Sequence, residues 1–329
     1  MHKTLIGITM GDPAGIGPEL CLRALNDKSV LEHCVPVVFG DSEILQRVSG
    51  ITGLQSPPRA VTPDEWDSCD RPAVIHCESL RGARIEPARI QAECGLAAYT
   101  YIKTAAKAAV DGRISAVATA PIHKEAMRAA GIVLPGHTEI FAELTATRQF
   151  CMMMASEKLK VSLVTTHVGY AEAPSLITTE RIIRVIELTA DALRHLGKVS
   201  PRISVCALNP HAGENGLFGN EEEEVIEPAI ADAQLNGIKV NGPLPPDTAF
   251  AGKMLESADA YVAMYHDQGL IPFKMLSFGS GVNVTLGIPI IRTSVDHGTA
   301  FDIAWRGKAS ASSMIQSILW AVKLAGAYR

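Results

Sequence analysis

Short apolar runs alternate with longer segments of helical spacing from one end of the chain to the other. TLIGIT (4–9), VPVVFG (35–40), PAVIHC (72–77) and SAVATAP (115–121) are nearly unbroken apolar stretches of strand length. QFCMMMAS (149–156), KVSLVTTH (160–167) and PRISVCALNPH (201–211) continue the series. ADAYVAMYHDQG (258–269) reads as a strand followed by a loop, and GVNVTLGIPIIRTS (281–294) as one or two strands. Helices are expected between them: 18–25 with Pro18 in its first turn, 41–48 with Asp41 as cap, and an alanine-rich one across 88–111. Three more cover 178–197, with Thr178 or Thr179 as cap and Gly197 as stop, 221–237 with an acidic start, and 310–326. Residues 51–90 are richer in proline and less periodic.

Near-continuous apolar strands separated by helices predict an α/β fold with a mostly parallel sheet covered on both faces. The 329 residues suffice for one large or two medium domains, and no repeat or low-complexity segment divides them. In such a sheet ligands bind beyond the carboxyl ends of the strands. That rule directs attention to the polar residues ending the apolar runs.

Composition removes several function classes. The formal charge is −5 and there is no lysine–arginine run, which argues against nucleic acid as a dominant partner. No apolar stretch approaches membrane-spanning length, and the first apolar run is too short for a signal sequence. The seven cysteines, Cys21, Cys34, Cys69, Cys77, Cys94, Cys151 and Cys206, lack metal-ligand spacing. They read as reduced and mostly buried thiols of a cytoplasmic protein.

His167, His211 and His266 each stand at the exit of an apolar run. Imidazoles gathered from distant loops suit a catalytic zinc or similar divalent ion; they equally suit hydrogen-bonded loop positions. Asp267, beside His266, and Asp247 offer further oxygen ligands, second-shell partners or proton acceptors. GHTE (136–139) places His137 and Thr138 at a loop or helix start, where they can hold a phosphate oxygen or serve as a cap. His123 and Lys124 follow 115–121 in the same way. Lys274 and Arg292 interrupt apolar segments, a costly placement unless each meets an anion, from a salt bridge or from a substrate. Asn283 orients a ligand or ties down a turn. GDPAGIGPE (11–19) occupies a phosphate-loop position but matches neither the dinucleotide fingerprint nor the Walker pattern. FGSGVN (278–283) and VDHGTAFD (295–302) are compatible with a nucleotide pocket, with Gly279, Gly281, Asp296 and His297 as candidate cofactor contacts.

Taken together, ITMGDPAGIGPE (8–19), ATAPIHKEAM (118–127), PGHTE (135–139), TTH (165–167), NPHAGENG (209–216), NGPLPPDT (241–248), MYHDQGLIPFK (264–274), GVNVTLGIPIIRTSVDHGTAFDIA (281–304) and GKA (307–309) resemble the 4-hydroxythreonine-4-phosphate dehydrogenase family nearly end to end. The resemblance implies the two-domain α/β/α architecture of isocitrate and isopropylmalate dehydrogenases, with the active site in the interdomain cleft. Residues 1–125 with 280–329 would form the nucleotide-binding domain. Residues 126–279 would carry the metal ligands and dimer contacts. It implies NAD, with NADP as an alternative, and one divalent ion per site, zinc with magnesium or cobalt as substitutes. Metal ligation then falls to His167, His211 and His266, and substrate contact to His137, Thr138, Lys274, Asn283 and Arg292. Asp247 and Asp267 are the candidate proton acceptors. A homodimer sharing its active sites is also implied.

The implied reaction oxidises 4-phosphooxy-L-threonine to 2-amino-3-oxo-4-phosphooxybutanoate, which loses carbon dioxide to give 3-amino-2-oxopropyl phosphate. The family includes close paralogues in two further branches. One acts on D-threonate or D-erythronate 4-phosphate, and 211–223 and 298–309 look closer to it. The other acts on aromatic-acid cis-dihydrodiols. A non-catalytic sugar-phosphate binder would not need the full set of histidines and cations. A hydrolase or phosphotransferase using the metal is disfavoured, because the sequence shows neither the Walker lysine pattern nor a carboxylate cluster for paired magnesium.

Overall fold

The computed structural model describes residues 3–64, 66, 70–277 and 279–327. Cys69 and Phe278, which heads FGSGVN, lie outside them. In chain order the elements are β1 (Thr4–Thr9), α1 (Gly17–Ala24), α2 (Lys28–His33), β2 (Cys34–Gly40), α3 (Ser42–Thr52), β3 (Ala60–Val61), β4 (Ala73–His76), α4 (Ala92–Val110), β5 (Ala116–Thr119), α5 (Lys124–Ala129), α6 (His137–Leu144), β6 (Cys151–Ala155), β7 (Lys160–Leu163), α7 (Ala173–Leu176), α8 (Thr179–His195), β8 (Arg202–Cys206), α9 (Glu227–Leu235), β9 (Lys239–Leu244), α10 (Gly252–Ser257), β10 (Ala260–Ala263), α11 (His266–Ser277), β11 (Val282–Leu286), β12 (Arg292–Ser294) and α12 (Ser312–Ala327). No helix among the described residues is long and apolar enough to cross a membrane.

The chain forms two compact units, Met1–Arg148 with Ile288–Arg329, and Gln149–Gly287. Residues 126–148 therefore group with the first unit and 280–287 with the second, unlike the expected ranges. Gly95 shows why: a Cβ there would stand 2.1 Å from the Ala126 carbonyl oxygen, so α4 and α5 run backbone against backbone.

In the first unit the strands lie in the order β3-β4-β2-β1-β5-β12 and every pair is parallel. Thr9 is in register with Thr119, and Ser294 with Thr119 on the other side. The loops leaving β1, β5 and β12 thus emerge together, and backbone bonds join them. Asp12 N donates to Pro121 O at 2.9 Å, and Ile16 N to Thr299 O at 3.0 Å. Gly11, with φ of 70°, is enforced here, because a Cβ would lie 2.3 Å from Pro121 O.

The second unit departs from the expected parallel sheet. Its order is β11-β6-β7-β10-β8-β9, and β6 runs antiparallel to both β11 and β7. The loop between β6 and β7 is too short for a crossover and makes a hairpin. Ser156 closes it, its hydroxyl accepting from Lys158 N at 3.2 Å and Leu159 N at 3.0 Å. Helix α8 begins as expected, Thr178 accepting from Arg181 N, and buries Ile182, Val185, Ile186 and Leu193.

Where a loop was expected after β10, the chain forms α11. Gly269 and Pro272 obscure the helical pattern in sequence. In the structure Gly269 lets the helix approach β7: a Cβ would meet Val161 at 2.7 Å and Leu163 at 2.9 Å. Leu270, Phe273 and Ser277 face inward. Residues 221–237 are helical, but they open with a π turn, Glu222–Ile226, before α9.

Cys21, Cys34, Cys94, Cys151 and Cys206 are free and buried, and Cys77 is free and half-buried. Burial pushes the thiols of Cys151 and Cys206 up to about 12, so they remain protonated.

Asp41 sits at the N-cap of α3 but makes no side-chain capping bond. Its carboxylate turns inward instead, accepting from Ser79 N at 2.9 Å and from the Tyr101 hydroxyl at 2.5 Å. Asp41 and Tyr101 are both buried, so the pair ties the start of α3 to the middle of α4. Replacing Tyr101 with Phe keeps the packing and removes a donor from a buried carboxylate, which should lower stability by about 1–3 kcal/mol. Urea denaturation followed by circular dichroism measures this, and an unchanged midpoint would remove the pair from the stabilising contacts.

Candidate active site

In the first unit, Arg292 opens β12 and is 1% exposed. Its Nη2 donates to Thr119 Oγ1 at 2.9 Å, and its guanidinium lies 5.8 Å from the Phe141 ring centre. Burial pushes its pKa down to about 9, opposed by the charge of Glu139. It remains a cation at neutral pH. His137, the first residue of α6, is held well below the usual histidine range by burial and then by the Arg292 charge; a bond to the Ala120 carbonyl works the other way. The ring is therefore neutral, and its enclosed Nε2 has no hydrogen-bond partner. Thr138 follows on the same first turn. A desolvated guanidinium beside a neutral imidazole is an arrangement that favours an anion.

Asp12 was not singled out in the sequence, but burial pushes its carboxyl up to about 6 against a bond from Ala14 N. Its second oxygen is buried without a partner. His123 stacks on Phe301 at 4.6 Å, and its Nδ1 is likewise unpartnered. Both residues leave the carboxyl ends of neighbouring strands, β1 and β5.

The second unit holds the expected metal histidines. His167 lies just past β7 and is exposed, while His266 opens α11; their ring centres are 5.6 Å apart. Asp267 Oδ1 lies 2.6 Å from His266 Nδ1, and Asp267 Oδ2 accepts from the Tyr170 hydroxyl at 2.6 Å. The Tyr170 bond, and then the His266 bond, hold the Asp267 carboxyl below its ordinary range. A carboxylate loaded with two donors is a poor proton acceptor and a good orienting group. With His266 Nδ1 engaged, Nε2 is the nitrogen left for an ion, the usual geometry of a ligating histidine. These donors fit a borderline divalent ion, yet His211 does not join them. Its Nδ1 lies 3.2 Å from Glu214 Oε2 and its ring packs near Phe218. Among the described residues no group of three or more His, Cys, Asp or Glu side chains is arranged to hold a metal.

His211 belongs to an unusual turn. Residues 211–216 all have positive φ, from 46° at Glu214 to 85° at Gly216. His211, Ala212, Glu214 and Asn215 each carry a Cβ, and such residues are disfavoured in the left-handed region by roughly 1–2 kcal/mol. The turn therefore depends on bonds from outside itself. Asp247 lies across from it, exposed, lining a cleft of about 480 Å³ with His211 and Asn215. Asp247 also lines a second cleft of about 650 Å³, with Tyr170, Tyr265, Asp267, Ile271 and Met275.

The remaining candidates are not gathered into these clusters. Lys274 is on an exposed face of α11, so the premise that it lies in an apolar run and must meet an anion does not hold. Asn283, on β11, donates to Met152 Sδ at 3.2 Å, and its Oδ1 is buried without a partner. Gly279, with φ of 77°, has open space where a Cβ would be, and Gly281 is buried at the start of β11. In the other unit Asp296 accepts from the Ser313 hydroxyl at 3.1 Å, and His297 is exposed. Glu222, Tyr170 and Asp12 escaped the sequence reading. Glu222 was hidden in an acidic run that reads as a helix start.

Comparison with known proteins bears on this arrangement. Residues 32–321 match the family described as pyridoxal phosphate biosynthetic protein PdxA. The chain is 48% identical to the 4-hydroxythreonine-4-phosphate dehydrogenase of Trichlorobacter lovleyi, the match covering 98% of each protein. It is 44% identical to the D-threonate 4-phosphate dehydrogenase of Salmonella typhimurium, over 99% of this chain and 100% of the relative. The crystal structure of 4-hydroxythreonine-4-phosphate dehydrogenase from Klebsiella pneumoniae superposes with a TM-score of 0.87 at 42% identity, covering 98% of this chain and 100% of that one. The chain is therefore an enzyme of the pyridoxal phosphate biosynthetic protein PdxA family.

Proposed function

We propose that this enzyme is a cytoplasmic NAD-dependent, divalent-metal-dependent dehydrogenase of 4-phosphooxy-L-threonine. It oxidises the C3 alcohol to 2-amino-3-oxo-4-phosphooxybutanoate, which then decarboxylates to 3-amino-2-oxopropyl phosphate. The architecture belonging to this reading is that of isocitrate and isopropylmalate dehydrogenases. The observation that carries the reading is Arg292, a cation 1% exposed beside a neutral His137 in a chain similar end to end to dehydrogenases of four-carbon phosphates. A specific observation also favours a second substrate, D-threonate or D-erythronate 4-phosphate. A relative named for the first of these is 44% identical over its full length.

In this mechanism Arg292 holds a phosphate or carboxylate oxygen pair in its planar fork. His137 Nε2 accepts a hydrogen bond from a protonated ligand oxygen, and Thr138 adds a hydroxyl at the same helix start. Lys274 and Asn283 complete substrate contact. Asp267 orients His266, which leaves Asp247 as the group that takes the C3 hydroxyl proton. His167, His211 and His266 would hold a divalent ion, zinc with magnesium or cobalt as substitutes, which would supply positive charge toward the C3 oxygen. Gly279, Gly281, Asp296 and His297 would hold NAD, which would supply the hydride acceptor.

A homodimer belongs to the same reading. His167 and His266 approach each other within one chain and His211 does not, so a shared metal site explains why all are present. Around the 650 Å³ cleft, Tyr170, Ile271 and Met275 are 68%, 58% and 81% exposed, an apolar rim suited to a second copy.

Three measurements test this reading. With NAD and zinc or magnesium, kcat/KM should be highest for 4-phosphooxy-L-threonine among it, D-threonate 4-phosphate and D-erythronate 4-phosphate. A reversed order selects the second substrate, and inactivity on all three ends the proposal. Arg292→Lys should lower kcat/KM by about 10–100-fold, because a point charge does not reproduce the fork; unchanged kinetics would remove Arg292 from the site. Chelation of the metal should abolish oxidation and also slow carbon dioxide release from the 3-oxo acid supplied directly. Release at the spontaneous rate with and without metal would show that the protein only oxidises.

A further inference from the structure

Glu222 is 4% exposed, and its carboxylate is met by N–H groups of the segment that leads into the His211 turn. Oε1 accepts from Leu208 N and Asn209 N, both at 2.8 Å, and Oε2 accepts from Asn209 Nδ2 at 2.9 Å. Asn209 Nδ2 also donates to Glu221 Oε2 at 2.7 Å, so one amide joins both carboxylates. The same Glu222 oxygen reaches the middle of the turn, since a Cβ on Gly213 would lie 2.8 Å from Oε2. Gly219 is packed as tightly, with Asn209 Nδ2 2.6 Å from its would-be Cβ. Phe218 N closes the far side on Gly213 O at 3.1 Å.

One buried carboxylate therefore grips the entry of the turn through two backbone amides and lies against its centre. Left-handed residues with side chains persist only where the surroundings over-determine them. Removal of Glu222 would free the amides of Leu208 and Asn209 and let the turn relax to ordinary backbone angles, which would redirect the His211 ring. The π turn beginning at Glu222 is in keeping with this, since such turns recur at functional sites.

We propose that Glu222 is the positioning residue that fixes the His211 turn for metal binding, an inference that rests on the reading of His211 as a metal ligand. It touches neither substrate nor metal and acts through the backbone of 208–213. Glu222→Gln keeps the shape but turns an amide donor toward groups that are themselves donors.

The test uses the full-length enzyme freed of metal and titrated with cobalt(II), followed by its visible absorption, beside amide hydrogen exchange at Leu208 and Asn209. In Glu222→Gln those two amides should exchange faster, and cobalt should bind about 10–100-fold more weakly with an altered spectrum. Far-ultraviolet circular dichroism should be unchanged. Faster exchange with wild-type cobalt affinity and spectrum would make Glu222 purely structural and overturn the proposal, as would unchanged exchange. Should Glu222→Gln fail to fold, Asn209→Ala removes only the side-chain bonds to Glu221 and Glu222; a smaller loss of cobalt affinity is expected, and none would overturn the proposal. His211→Ala is the control for the underlying reading. Cobalt binding undiminished in that variant would remove His211 as a ligand, an outcome distinct from failure of the clamp, which the exchange data report separately.

Discussion

The backbone at Gly11 passes so close to Pro121 that nothing larger than a hydrogen fits between them; a Cβ would sit 2.3 Å from the carbonyl oxygen. That contact joins the loop after β1 to the loop after β5, and the bond from Ile16 N to Thr299 O adds the loop after β12. Parallel pairing had already brought the three strand ends side by side. The close approach removes the freedom the loops would otherwise keep. Arg292 then needs no loop to hold it: it rises from a strand, and Thr119 on the adjacent strand takes its donor. A site built on strands is held more rigidly than one built on loops.

The second unit solves a different problem. Its histidines stand near or at the surface, and they are directed by short local bonds, Tyr170 through Asp267 to His266 and Glu214 to His211. Exposed pairs of this sort add little stability. Their value lies in selecting which ring nitrogen is free and where it points. A permanent cation can be buried once and left so. In the proposed metal role these rings have to stay accessible, and their order comes from Asp267, Glu214 and the strained turn around His211.

The legible parts of the sequence were those with one dominant local signal. The apolar runs became strands, 4–9 and 35–40 nearly residue for residue and 160–167 only over Lys160–Leu163, and α8 showed its capping threonine and its stripe. The histidines were visible because each ends such a run. What stayed hidden depended on partners distant in sequence. Gly269 and Pro272 argue locally against a helix, yet α11 forms because the missing side chain of Gly269 lets it pack on β7. Asp41 has the composition of a cap and is drawn inward by Tyr101, far along the chain. Lys274 appeared to need an anion only while its segment was read as an apolar run. As part of a helix it faces outward. The antiparallel hairpin of β6 and β7 was implicit in a short loop, but apolar runs alone do not reveal strand direction. Glu222 was one acidic residue among several, and only its burial distinguishes it.

The titratable groups of the first unit follow a single electrostatic rule. Burial moves Asp12 upward, His137 downward and Arg292 downward, each toward its uncharged form. Arg292 and Asp12 start far enough from neutrality to keep their charges, and His137 does not. Lowered to about 9, Arg292 is still protonated at pH 7, while His137 has lost its proton. The signs of the stability contributions differ accordingly. Asp12, raised to about 6, favours the folded state most below its ordinary value of 3.8, and that contribution fades as pH rises through 6. His137, lowered from 6.5, favours the folded state above 6.5, and that contribution fades as pH falls toward its depressed value. Near neutrality Asp12 has passed out of its favourable range and His137 remains in its own. At that pH the group holds a cationic Arg292, a neutral His137 and an ionised Asp12, and the charge of Glu139 also acts on Arg292. In the proposed role of Arg292 a phosphate or carboxylate would meet a cation that is 1% exposed and so little screened by water.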